Sequence, residues 1–282
     1  HPNVIIAGGE TYGPLPYRNK ATPAIFSSEG ISEADLDYMS SHFNQNGNIN
    51  VHNLRNVTGI SITIYSRGVH AANLLPFFDA YGGGLYKCFT HMTGLEAPRV
   101  YWRIQNLKAQ KALAESLSDR NSSWQPIFDV IKNWPDSENR EKRPQAVREI
   151  SALKKKSRIG SRINNLHQLG GLFDASGCVS TFPQDKHRFN PYFNIHSPDQ
   201  GLLESVQTFL GQIGFSDVGV LIRNHGDRKD LDTWRLHSRF SWKAFAELLL
   251  PYVKAKRPHL EILLNARTEH NHVLKEHREQ LF

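Results

Sequence analysis

The sequence predicts an α+β fold built from two copies of one unit, each a helix followed by antiparallel strands and further helices. Three observations carry this. Leu166, Leu169, Leu172 and Phe173 recur at three- and four-residue steps, one apolar helical stripe, and the residues after Gly177 turn strand-like. A second stretch, Leu36 to Ile49, aligns with it. With Gly47 set against Gly177, Ser40-Ser41 falls on Gly170-Gly171, Phe43 on Phe173, Asn44 on Asp174 and Asn46 on Ser176. The offset persists, with Phe78 near Phe209 and Trp102-Arg103-Ile104 near Trp234-Arg235-Leu236, and a period held over most of a chain marks internal duplication. Third, several runs alternate with period two, the pattern of a sheet buried on one side.

Taken in order, residues 1–30 are rich in Pro and Gly (Pro2, Gly8, Gly9, Gly13, Pro14, Pro16, Pro23) and are expected to lie as an extended arm on a surface or partner. Ser32, followed by Glu33, Ala34 and Asp35, reads as a helix N-cap with an acidic first turn, and the helix is expected to run to about Asn44. Strands follow. Ile49 and Val51 oppose Asn48, Asn50 and His52; Ile60, Ile62 and Ile64 oppose Ser61, Thr63 and Tyr65; Val100, Trp102 and Ile104 oppose Arg99, Tyr101 and Arg103. Gly82-Gly83-Gly84 precedes a strand without a following Lys-Ser pair, so it is a turn and not a phosphate loop.

Asp136 to Ser161 is charge-dense, with eight Lys and Arg against four Asp and Glu, and Lys154-Lys155-Lys156-Ser157-Arg158 is its sharpest cluster. A solvated helix face explains such a run; phosphate contact is the second reading. Within the second helix, Gly170-Gly171 costs roughly 1 kcal/mol per Gly against Ala, tolerated where another backbone comes close. The last segment, Glu261 to Phe282, reads as a helix, on which His270 and His272 point to different faces and make no metal site.

The polar faces of the strands carry the functional signal. The first collects Asn50, His52, Thr63, Tyr65, Arg99, Tyr101 and Arg103, with Lys87 on the run from Leu85 to Thr90. The second collects Tyr192, Asn194, His196, Arg223, Thr233, Arg235 and His237, with Lys186, His187, Arg188, Arg228 and Lys229 in neighbouring turns. Hydrogen-bonding groups mixed with cations and aromatics, and without carboxylates, suit phosphates, sugars and bases. The two faces are expected to repeat one chemistry.

Leu169 to Gly177 (L-G-G-L-F-D-A-S-G) resembles the nine-residue signature of the LAGLIDADG homing endonuclease and maturase family, with six of nine positions identical. The resemblance implies two pseudo-symmetric αββαββα repeats forming a saddle of two antiparallel sheets. Covering roughly Ile31 to Asn265, it gives a first repeat 31–135 and a second repeat 161–265, and composition and charge set off the arm 1–30, a basic linker 136–160 and a C-terminal helix 266–282. It further implies that Ser40, Ser41, Gly170 and Gly171 serve close packing of the two signature helices. In that family each signature helix ends in an acidic residue, and the pair holds the divalent metal that cuts both DNA strands. Here those positions are Asn46 and Ser176, both neutral, so the reading expects no metal, no cofactor and no catalytic residue. Asp174 lies off the face of Ser176 and its counterpart is Asn44; Asp185 is more remote.

Composition sets the outer bounds. A chain of 282 residues can bury a full core, and its apolar fraction of 39% is that of a globular protein. No apolar run approaches the roughly 20 residues of a membrane-spanning helix, and no membrane partner is expected. A formal charge of +7 and a pI near 9.4 favour an anionic partner. Two cysteines, Cys88 and Cys178, are too few for a disulfide framework and read as buried thiols. The chain starts at His1 and not Met, so a targeting segment is expected to have been removed. The expectation is a non-catalytic nucleic-acid-binding protein. RNA (ribosomal or intron) is favoured over DNA, in an organellar ribosome, its assembly or splicing, with ribosomal proteins as further partners and a mitochondrion favoured over a plastid. The rivals are a DNA endonuclease with unconventional metal ligands and a purely structural module.

Overall fold

The structure, a computed structural model, describes residues 3–7, 9–18, 30–54, 57–88, 99–120, 122–155, 160–186, 188–223, 231–266, 268–269 and 272–274. The chain divides into two compact units, 1–158 and 159–282, each with its own apolar core.

In the first unit Ser32 caps α1 (Glu33–Asn46), its hydroxyl accepting from the Asp35 amide, and α1 reaches two residues beyond the expected end at Asn44. The helix leads directly into β4 (Gly47–Leu54), β5 (Val57–Arg67), a 3-10 turn, α2 (Leu75–Tyr81), β6 (Gly84–Cys88), β7 (Arg99–Ile104), α3 (Leu107–Ser118) and α4 (Gln125–Lys132). The sheet is antiparallel, and its other members flank β7 and β5 in the order β6-β7-β5-β4. Ile60, Ile62, Ile64, Leu85, Val100, Trp102 and Ile104 turn to the core as the period-two pattern requires. The Trp102 indole is wholly buried and donates to the Gly82 carbonyl at 2.7 Å.

The second unit repeats the order: α6 (Leu166–Ser176), β8 (Gly177–Pro183), β9 (Arg188–Ser197), α7 (Gln200–Gln212), β10 (Val220–Ile222), β11 (Asp232–Leu236), α8 (Trp242–Leu249) and α9 (Arg257–Asn265). Registers match too. Ile64 faces Gly47 and Trp102, and Ile195 faces Gly177 and Trp234. Trp234 also donates its indole N–H to a carbonyl, that of Val218, at 2.8 Å.

Three expectations are corrected. The basic linker holds a helix, α5 (Arg143–Lys155), that is not merely a solvated face, because Ala146, Val147 and Ile150 supply an apolar stripe that joins the first core. Its Lys154 ammonium donates to the Ile49 carbonyl at 2.7 Å and to Asn48 Oδ1 at 3.2 Å, tying the helix to β4. The C-terminal helix ends at Asn265. Beyond it, β12 (Thr268–Glu269) and β13 (His272–Leu274) form a hairpin whose Val273 is buried beside β9, so a segment expected to be helical completes a sheet instead. His272 is therefore on a strand, and His270 and residues 275–282 lie outside the described residues. The N-terminal arm is not merely extended. It forms the hairpin β1 (Ile5–Ala7) and β2 (Glu10–Tyr12), and β3 (Tyr17–Arg18) adds to the edge of β6. Ile5 and Leu15 enter the first core, and Tyr12 and Tyr17 meet Phe78 with ring centroids 6.0 and 5.7 Å away. No helix among the described residues is long and apolar enough to cross a membrane.

Candidate nucleic-acid interface

Each signature helix ends on a neutral residue, Asn46 on α1 and Ser176 on α6. The Ser176 hydroxyl donates back to the Leu172 carbonyl at 3.3 Å. The carboxylate two residues before Ser176 is already committed. Asp174 is 2% exposed and accepts from the backbone amides of Lys254 at 2.6 Å, Ala255 at 3.0 Å and Lys256 at 2.9 Å. It holds the turn that leads into α9 (Arg257–Asn265). The Lys256 ammonium, 7% exposed, donates to the Phe173, Asp174 and Gly177 carbonyls and so closes the negative end of α6. Asp185 is likewise occupied, accepting from Arg188 Nε at 2.6 Å and its amide at 2.8 Å.

A divalent metal of the magnesium type requires hard, anionic oxygen ligands. At the two helix ends the side chains are an amide, Asn46, and a hydroxyl, Ser176; the residue two places before is a second amide, Asn44, in α1 and an acid already spent on backbone amides, Asp174, in α6. The metal of the LAGLIDADG nucleases does not fit these residues.

The small residues of the signature have reasons inside each unit. A β-carbon on Gly170 would overlap the Tyr252 carbonyl, and Ser40 at the matching place donates its hydroxyl to the Arg120 carbonyl at 3.2 Å. Within each unit both positions therefore sit against the segment that leads into a later helix, α9 for Gly170 and α4 for Ser40. Ser41 and Gly171 are buried beside them. Gly47 and Gly177 have ordinary φ values, −71° and −77°. They are glycines because the Phe43 and Phe173 rings lie where a β-carbon would stand.

On the first sheet the polar face divides in two. Towards β4 it is hydrogen-bonded within itself: Asn48 Nδ2 to Asn50 Oδ1 at 3.0 Å, Asn50 Nδ2 to Thr63 Oγ1 at 3.4 Å, and His52 Nε2 with Ser61 Oγ at 3.0 Å. Thr63 is buried there. Towards β6 it opens. Tyr65 is 40% exposed, Arg99 is exposed, and Tyr101 and Arg103 are half-buried. Lys87 is corrected: it pairs with Val100, shares the opposite face with Leu85, and its ammonium bonds Asn3 Oδ1. The strand phase instead puts Tyr86 and Cys88 on the polar face, together with Arg67 of β5 and Arg18 of β3, all missed in the sequence. Anchoring β6 by Leu85 opposite Trp102 would have found Tyr86.

The second sheet differs, which corrects the expectation of one repeated chemistry. Arg235, opposite Asn194, donates from Nε to its Oδ1 at 2.8 Å and lies 4.9 Å above the Tyr192 ring. His196 Nδ1 stands 2.9 Å from Thr233 Oγ1, and its Nε2 stands 4.0 Å from Cys178 Sγ. Burial raises the Cys178 thiol pKa, but hydrogen bonds with His196 and Ser180 and the His196 charge outweigh it and bring it below the ordinary value. Asn194 and Thr233 are buried, whereas Lys186, Arg223 and His237 are exposed at strand ends and turns. Cys88 and Cys178 form no disulfide and are half-buried, not buried. Lys155 is exposed at the end of α5. Lys156, His187, Arg228 and Lys229 lie outside the described residues.

No protein-family model matches this sequence, and no curated protein matches it. Solved structures do. I-SmaMI bound to an uncleaved DNA target in the presence of calcium ions superposes with a TM-score of 0.62 at 12% identity, over 87% of this chain and 96% of that one. The LAGLIDADG meganuclease I-AabMI bound to uncleaved DNA gives 0.61 at 13% identity, over 87% and 96%. The LAGLIDADG homing endonuclease I-GzeII in complex with its DNA target gives 0.57 at 12% identity, over 80% and 87%.

Proposed function

We propose that this chain, which has the LAGLIDADG fold, uses it to hold a nucleic acid without cutting it. One observation carries the reading. Both signature helices end in neutral residues, and the side chains two places before them, Asn44 and Asp174, are consumed in holding the turns that lead into α4 and α9. A phosphodiester-cleaving site needs groups that clamp a metal or activate water, and these ends supply neither. The cationic and hydrogen-bonding sheet faces, on a chain of charge +7, support binding.

RNA is proposed over DNA. Tyr65, 40% exposed, offers an aromatic ring suited to exposed bases, and Tyr101 and Tyr192, with Arg99, Arg103 and Arg235, add hydroxyls and cations suited to ribose and phosphate. The setting proposed is an organellar ribosome or a splicing complex, in a mitochondrion, and co-sedimentation with mitochondrial ribosomes tests that setting. Binding itself is tested by titrating RNA and duplex DNA against salt. The expected result is log K falling linearly with log salt, with a slope near −0.7 per phosphate contacted for single strands. A flat response overturns the reading.

A further inference from the structure

The first sheet carries a row of three tyrosines that the second sheet lacks. Tyr65 on β5 faces Tyr101 on β7, which faces Tyr86 on β6. Tyr86 and Tyr101 are stacked, with ring centroids 5.1 Å apart and planes 16° apart, and Tyr65 follows at 5.4 Å and 36°. Arg18 extends the row, its guanidinium carbon 5.8 Å from the Tyr86 ring centre. Gly84, two residues before Tyr86 on the same face, leaves space that the Tyr86 ring occupies. One step along the strands on either side lie cations: Arg67 opposite Arg99, and Arg103 opposite Thr63. None of Arg18, Arg67, Arg99 and Arg103 is in an ion pair with a carboxylate among the described residues. The matching positions of the second unit, by register, are His196, Thr233 and Ile222.

We propose that Tyr65, Tyr101 and Tyr86 form a stacking platform for unpaired bases of a single-stranded nucleic acid, which rests on the nucleic-acid reading above. Cross-strand tyrosines also stabilise a sheet by themselves, but that role needs no arginine on both sides and no exposed ring at the end of the row. In a duplex the flat faces of the bases are covered by their neighbours, and only edges and phosphates can be reached. A ring such as Tyr65, 40% exposed at the end of an aromatic row, gains only where a base face is free. The flanking guanidiniums then meet the phosphates on either side of the stacked base. The chemistry recognised is the face of an unpaired base, which single-stranded RNA, an RNA loop and single-stranded DNA all offer.

The test is fluorescence anisotropy of the full chain with a labelled oligouridine, a labelled DNA single strand, a matched duplex and an abasic oligomer of equal length. Oligouridine is expected to bind more tightly than the duplex, and the abasic oligomer less tightly than oligouridine. Tyr65→Ala should weaken oligouridine binding by roughly tenfold and leave duplex binding unchanged, the scale of one lost stacking contact. Tyr65→Phe should restore most of it. Equal binding of abasic and base-bearing oligomers, or an unchanged affinity in Tyr65→Ala, overturns the platform while leaving nucleic-acid binding in place. Binding to none of the probes overturns the nucleic-acid reading itself. The two single strands report which source the protein prefers, and a duplex bound more tightly than either also overturns the platform.

Discussion

Asn44 and Asp174 hold the same place in their two units and do the same work. Asn44 Oδ1 accepts from the Ser123 amide at 3.2 Å and the Ser122 hydroxyl at 2.9 Å, just before α4; Asp174 accepts from three amides just before α9. A residue two places from the end of each signature helix thus secures the turn into a later helix of its unit, α4 in the first and α9 in the second. The carboxylate of Asp174 is structural.

Removing it should be costly. Asp174→Ala leaves three amides near α9 without their acceptor, and hydrogen bonds to a charged group contribute about 1.5–3 kcal/mol each in measured series, non-additively. A loss of about 3 kcal/mol is expected in urea unfolding. Asp174→Asn should lose less, since the first unit manages with an amide. Equal stability of the alanine variant and the parent would show that the cap is dispensable.

Gly47 and Gly177 should tolerate no side chain. Alanine at either position drives a methyl group into the ring of Phe43 or Phe173, each wholly buried. Overpacking of this kind costs typically 1–3 kcal/mol. A thermal midpoint lowered by several degrees is the expected readout; Gly214→Ala, with a φ of 76° but open space around it, controls for backbone strain alone.

The repeat was legible because its markers are local: the Phe-to-Gly spacing, the tryptophan strands and the offset of 130 from Gly47 to Gly177 can be read without tertiary information. What escaped needed partners. The strand β13 exists because Val273 finds Phe189 across the sheet, and nothing in residues 266–274 states that. The α5 stripe is short and set among cations, so charge hid it. At the interface, Arg99, Tyr101 and Arg103 are legible from alternation, but Lys87 is misplaced and Tyr86 missed because the phase of a five-residue strand is fixed only by its neighbour.

Acidification should weaken the second unit through His259. Burial, with the neighbouring Lys256 charge, depresses its pKa, and Asp174 opposes that only in part. The folded state therefore keeps the ring neutral while the unfolded chain takes up a proton. The His259 contribution is constant above about pH 6.5 and declines as the pH falls below it. His259→Gln should flatten that decline in unfolding free energy measured from pH 7 to pH 5. An unchanged profile would assign the decline to other groups.

The Cys178 thiol should ionise early. With His196 and Ser180 beside it, its alkylation by iodoacetamide is expected to reach half-maximal rate at a lower pH than an ordinary cysteine. His196→Gln should move that midpoint upward. Coincident profiles for the two proteins would contradict the hydrogen-bond assignment.

Arg103 and Arg235 occupy equivalent registers in the two units. If both meet phosphates, each alanine variant should weaken RNA binding across sequences and reduce the steepness of the salt response by about 1 phosphate. A change confined to one variant would place the nucleic acid on one sheet only.

The central claim is binding without cleavage, and one assay reads both halves. The full chain is mixed with a labelled pool of randomised RNA and DNA in Mg²⁺ or Mn²⁺, and the retained nucleic acid is recovered and sized. The account predicts that RNA is retained at full length in either metal. Cleaved products appearing only in the presence of metal would contradict it.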